Sequence, residues 1–273
     1  MFRRRLAVRI ALFTLAIGWV WAVPAVAEWY VGGYGGWSVP SSLTDVTMPL
    51  WGQRLAEQQF PQATAPTDQE GRGTLLQTFK TSDVSLKHSP MFGGKIGYFL
   101  AEEQLPWLGL ELEAFTSKPT IKTQTLSTDH DITFQPNTPD TPTNCALLIP
   151  PNQNICPAYV RNKSSLQVQE SDLRMITVAF NVIARYPGTT FQPYVGAGAG
   201  AFYFWSTTGS IQGRQWVPGL NLLTGLNVLL TDEWGFFAEG KYNRASINNF
   251  DPTFGLNGTY SAIHFVAGLS YHF

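Results

Sequence analysis

Five charged residues carry most of the chemistry this sequence offers. Lys95, Glu111, Glu113, Glu239 and Lys241 each sit in a stretch where apolar residues alternate with small or polar ones, and each falls on the less apolar side. Carboxylates set beside ammonium groups are the material of a buried ion network, of a charge gate or, given a substrate cleft, of acid–base catalysis. Counted up from the nearest short turns, the five come to similar depth. Arg185 falls nearer the turns, and His264 falls beside the five or just above them. If the alternating stretches are strands of a narrow closed barrel, its interior holds only side chains, so these seven charged or titratable groups must pair across it. The first expectation is a luminal salt-bridge network. The alternative is a gate in which Lys95 exchanges between Glu111 and Glu113 to open a narrow aqueous path.

Other constellations are thinner. Ser261 and His264 have opposite parity in an alternating stretch, which does not assemble the Ser-His pair of a lipid-modifying enzyme. The run Gly196-Ala197-Gly198-Ala199-Gly200-Ala201 fits the dinucleotide fingerprint formally, but the alternation continues into Tyr203 and Trp205 with no helix to follow. Asp129-His130-Asp131 lacks the further ligands a cation needs. Cys145 and Cys156 have neither nearby histidines nor CxxC spacing, and in an oxidising compartment they are expected to form a disulfide that clips one loop. Neither a catalytic centre nor a cofactor or metal site is expected.

The elements that must position these residues are strands. Residues 107–116 alternate most clearly, with Leu108, Leu110, Leu112 and Ala114 against Gly109, Glu111, Glu113 and Phe115. The same period runs through 91–100, 176–186, 192–205, 220–230, 234–243 and 263–273. Residues 29–37 form a further strand whose glycines leave its parity undetermined. Between these eight lie connections that alternate long and short. The long ones, near 39–83 and 117–169, are too large for turns; the first has room for a short helix near 50–60, and the polar ends of the second, near 121–126 and 166–168, are candidates to prolong the neighbouring strands. A ten-strand count stays open if a long loop adds a hairpin.

The chain has 273 residues, a formal charge of −1 and 44% hydrophobic residues, which gives no signature of nucleic-acid binding or disorder. Arg3, Arg4, Arg5 and Arg9 precede an apolar run over 10–23 and then Ala25-Val26-Ala27, the layout of a signal peptide spanning 1–27 and cleaved before Glu28. No later run is long enough for a spanning helix, so strands must do any crossing. Loops on one side, turns on the other and aromatics such as Trp29, Tyr186, Trp205, Trp216, Trp234 and Tyr271 near strand ends favour a transmembrane barrel. A soluble lipocalin-type barrel would place the same apolar face inside.

The eight-strand pattern, Pro193-Tyr194-Val195-Gly196-Ala197-Gly198-Ala199-Gly200, Phe237-Ala238-Glu239-Gly240-Lys241-Tyr242 and the ending Gly268-Leu269-Ser270-Tyr271-His272-Phe273 resemble the OmpA-like outer-membrane β-barrel family. The resemblance implies an all-β, eight-stranded antiparallel up-and-down transmembrane barrel over 28–273, in the outer membrane. It also implies that Phe273 is the signal read by the assembly machinery. The chain stops at Phe273 without the peptidoglycan-binding domain of OmpA itself, so a cell-wall tether is not expected. The expected partners are outer-membrane lipids, the assembly machinery and an extracellular ligand or host surface, with the barrel a monomer. The role so implied is non-catalytic, in membrane integrity and surface interaction through the loops; the alternatives are a narrow gated channel and, third, a lipid-modifying enzyme.

Overall fold

A computed structural model describes residues 28–60, 73–101, 104–136 and 158–273. Eight strands close into a barrel: β1 (Glu28–Pro40), β4 (Ser89–Leu100), β5 (Leu105–Ser117), β8 (Arg174–Arg185), β9 (Phe191–Ser206), β10 (Gly213–Leu229), β11 (Trp234–Ile247) and β12 (Asn257–His272). All neighbours are antiparallel, and β12 pairs back onto β1 with Tyr271 opposite Val31 and Ile263 opposite Val39. Closure leaves no unpaired backbone edge around the wall, as a bilayer interior requires.

Side-chain alternation decides which face is which. Phe92, Leu112, Phe180, Leu220 and Phe265 point outward and are 50–61% exposed, while Lys95, Glu111, Glu113, Glu239 and Lys241 point inward and are at most 7% exposed. A soluble barrel has the opposite polarity; an apolar belt of this extent needs lipid to cover it. Residues 29–37, ambiguous in sequence, resolve with Tyr30 and Tyr34 inward and Trp29, Val31 and Trp37 outward.

The long connections are built, and they add no strand to the barrel. They contribute β2 (Thr44–Thr47), helix α1 (Pro49–Gln59), β3 (Gly73–Thr81), β6 (Gln124–Pro136) and β7 (Ala158–Val168). The start of β12 pairs with β2, and the sheet continues through β3 and β6 to β7. This forms a cap at the end opposite the short turns. Residues 121–126 and 166–168 prolong β5 and β8 as expected. The ladder is interrupted near Pro119, which cannot donate to it, but Ile121 bridges Leu86 and Ser171. Beyond that bridge β6 pairs with β7 in the register that β5 keeps with β8, Ser117 opposite Met175 and Gln124 opposite Val168. Helix α1 lies against β3 through Gly52 and Ala56. A β-carbon at Gly52 would come within 2.5 Å of the Phe79 β-carbon, so the helix can approach only with glycine there. Phe60 stacks on Phe134 with ring centroids 5.4 Å apart, joined by Ile132, Leu75 and Val160 under the sheet.

The main apolar core runs without a break from the upper lumen into the cap. Phe115, Met175, Phe202, Phe204 and Tyr260 fill the barrel, and Leu43, Met48, Phe79 and Ile121 continue the same cluster beneath the cap. Full burial of each such side chain contributes roughly 1.5–3 kcal/mol.

Candidate functional site: a luminal charge network

Below the apolar plug the lumen is polar, and the five residues singled out in the sequence meet there. Register alone would pair Lys95 with Glu113, which lie directly opposite on β4 and β5. Instead Lys95 Nζ donates to Glu239 and lies 3.4 Å from Glu111, whereas Glu113 takes its ion pair from Lys241 across the lumen. Lys241 also lies 3.0 Å from Glu239. The expected exchange of Lys95 between Glu111 and Glu113 thus has no counterpart in this arrangement, because a second ammonium already holds Glu113.

Each carboxylate has a tyrosine that the sequence reading did not single out. Tyr30 donates to Glu111 at 2.7 Å, Tyr34 to Glu113, and Tyr194 to Glu239 at 2.5 Å. Every one of these rings lies over a glycine directly opposite in register: Tyr30 over Gly97, Tyr34 over Gly93 and Tyr194 over Gly225. A methyl group on Gly97 would come within 2.4 Å of the Tyr30 ring and one on Gly93 within 2.4 Å of the Tyr34 hydroxyl, so the glycines make the space in which the tyrosines lie down. The sequence signal was the pairing of tyrosine and glycine at barrel-facing positions, which cannot be recognised before register is known.

Asparagines complete the set. Asn181 donates to Glu111 at 3.0 Å, Asn221 to Asn181 at 2.9 Å and to Glu113 at 3.3 Å, and Asn243 to Asn221 at 2.8 Å. Lys95 lies 4.0 Å from the Phe237 ring centre and Lys241 4.6 Å from that of Tyr34. Removing two ammonium and three carboxylate groups from water is costly, and it is tolerated because neighbours engage nearly all their oxygens and protons.

Arg185 is not part of this layer. It forms a second one at the turn end, bonded to Glu28 (Nη1 to Oε1, 2.9 Å) and to the Pro106 carbonyl, with its guanidinium 3.5 Å from the Phe99 ring centre. His272 joins Glu28 at 2.5 Å. Between the layers is a cavity of about 30 Å³ touched by Tyr30, Lys95, Arg185, Tyr194 and His272, room for about one water. His264 stands opposite Lys241 on the adjoining strand, fully buried, its ring edge toward Phe115 and neither nitrogen bonded.

The other constellations separate. His264 faces the lumen and Ser261 the outside. Gly198 faces the lumen, where a β-carbon would lie 2.2 Å from the Asn181 side-chain oxygen, so the glycine run of β9 serves packing. Asp129 and Asp131 lie on the outer face of the cap and His130 on its inner face, buried beside Phe79. Arg161 bridges both aspartates, and its hydrogen bond holds Asp129 below the usual carboxylate range. Burial pushes the His130 pKa down. Among the described residues no cluster of three or more metal-ligating side chains occurs. The signal-peptide segment 1–27 and the pair Cys145 and Cys156 lie outside the described residues. Phe273 exchanges backbone hydrogen bonds with Trp29 at 2.9 and 3.2 Å, and its ring is exposed.

Residues 56–273 match the family model described as outer membrane protein beta-barrel domain. Neisserial surface protein A is similar in structure at 12% identity, covering 90% of this chain and 98% of that one, with a TM-score of 0.44. Ail of Yersinia pestis, solved with the heparin analogue sucrose octasulfate, has 12% identity, coverage of 90% and 99% and a TM-score of 0.36. The outer membrane protease OmpT of Escherichia coli has 11% identity, coverage of 92% and 98% and a TM-score of 0.35. No curated protein sequence matches the chain.

Proposed function

The chain belongs to the outer membrane protein β-barrel domain family and resides in the outer membrane, and we propose that it works there without catalysis, as a sealed barrel that presents its cap as an interaction surface. The observation that carries this is β7: among the described residues its 11 residues pair with β6 alone, leaving the other edge of the cap sheet open. An open edge offers backbone donors and acceptors to a partner strand, and side chains on the sheet face add selectivity. On that outer face Leu76 and Tyr159 are 64% and 65% exposed, with Thr133 between them in register. The lumen supports the same reading, since its ionic layer and apolar plug fill the path a solute would take. Membrane integrity follows from a wall of eight paired strands with a packed interior.

The test is adhesion of cells that display the protein to a cultured epithelial layer. Wild type is compared with a chain in which residues 124–168 are replaced by a short Gly-Ser turn, with heat-shifted gel mobility showing that the barrel persists. Adhesion should fall to the level of cells lacking the protein. Equal adhesion by the two chains would sink the proposal, and discrete conductance from the wild-type barrel in a planar bilayer would move the function to the lumen.

A further inference from the structure

The outer wall carries an arrangement that neither the lumen nor the cap uses. Following register from β5 to β10, the outward rows read Leu112, Phe180, Ala199, Leu220, then Ala114, Val178, Ala201, Pro218, then Thr116, Ile176, Tyr203, Trp216. One step nearer the cap the composition changes at once. Arg174 and Arg214 both stand opposite Trp205, and Lys118, the residue after Ser117, is level with Arg174. A basic row, Lys118, Arg174, Trp205 and Arg214, therefore edges an apolar wall at the cap end. Tyr203 and Trp216 lie just beneath, ring centroids 4.7 Å apart.

The charges in this row are not balanced. Lys118 lies 2.7 Å from Asp172 and Arg174 bonds the same carboxylate at 2.8 and 3.1 Å, so two cations share one anion. The Arg214 side chain has no hydrogen-bond or ion-pair partner among the described residues. The side chains of Lys118 and Arg174 are about half exposed, at 51% and 48%. At the usual strand spacing the row spans roughly 14 Å, and along β5 it stands roughly 30 Å above the turn end, the thickness of a hydrocarbon core.

We propose that this row binds the phosphorylated head of an anionic lipid of the outer leaflet, with the acyl chains lying over the rows below. Guanidinium forks are suited to phosphate, and a span of this size fits a disaccharide head bearing a phosphate at each end better than a single phosphate. The continuity of the basic row with an apolar wall favours a lipid over a free anion. The site is independent of the cap's open edge, and either can fail without the other.

The test uses the full mature chain in phosphatidylcholine nanodiscs, titrated with diphosphoryl lipid A and read by native mass spectrometry. Arg174→Gln with Arg214→Gln should weaken retention about tenfold, and Lys118→Gln alone a few-fold. Arg161→Gln with Lys163→Gln, which removes the same charge from the cap, should change nothing. Undiminished retention in the first pair would overturn the proposal, as would inorganic phosphate alone binding wild type as tightly as lipid A does. If the double variant loses its heat-shifted mobility, the decision passes to Lys118→Gln, for which unchanged retention is the overturning result.

Discussion

The molecule contains two charge clusters of similar composition and opposite meaning. In the lumen, Lys95 and Lys241 serve Glu111, Glu113 and Glu239 with side chains at most 4% exposed. On the cap, Arg161 serves Asp129 and Asp131, and all three side chains are at least 32% exposed. The first cluster is enclosed by the barrel wall and cannot lose a member without leaving a charge in a low-dielectric space. The second is bathed in solvent that takes the place of any lost partner. Ion pairs with similar spacing therefore hold the fold together in one place and decorate it in the other, and burial decides which.

The contrast is sharpest at Lys241. Lys241→Met leaves Glu113 and Glu239 short of an ammonium and should cost about 3–5 kcal/mol. The fraction keeping heat-shifted mobility along a urea series would show it, and a midpoint equal to wild type would remove the distinction between the clusters. Next is Tyr34→Phe, which deletes the donor to Glu113 while keeping the ring over Gly93. Its expected cost is about 1.5–3 kcal/mol in the same assay, the range for a hydrogen bond to a charged group.

A pH effect belongs to the cap's inner face. Burial lowers the His130 pKa from its ordinary 6.5, opposed by the charge of Asp131. The opened cap then binds more protons than the closed one, so closure is strongest above pH 6.5 and weakens as pH falls below it toward the folded value. Amides of β3 and β6 should exchange faster at pH 5 than at pH 7.5, and His130→Phe should flatten that difference. The smallest effect is expected for Arg161→Gln, with cap amide protection little changed and any change vanishing in 0.5 M salt. A loss exceeding that of Tyr34→Phe would contradict the solvent argument.

Legibility in the sequence followed the strength of the physical pattern. Leu108 to Phe115 and Ile176 to Arg185 read correctly as to face because lipid on one side and a crowded lumen on the other demand strict alternation. The first strand did not, since Gly32, Gly33, Gly35 and Gly36 give neither face a character; Tyr30 and Tyr34 were hidden by the same ambiguity. Of the cap strands only the ends of β6 and β7 nearest the barrel were readable, near 121–126 and 166–168. Their full length was not, because β6 places Thr128 and His130 among its inward apolar residues and β7 is polar on both sides. Within the network, depth was readable and partnership was not. Lys241 reaches Glu113 through space across the lumen, and no spacing along the chain encodes that contact.

The closing seam has a consequence for biogenesis. Because β1 and β12 meet, with Tyr30 opposite His272 and Trp29 bonded to Phe273, the contacts that turn a sheet into a tube join the two ends of the folded chain. Loop closure over so many residues comes late and slowly. Until that seam forms, β1 and β12 each keep a row of unpaired backbone groups along one edge. The time a chain spends exposed to aggregation is then set by the docking of its final residues, so a truncation at Phe273 would act first on the rate of assembly and only second on the stability of what is assembled.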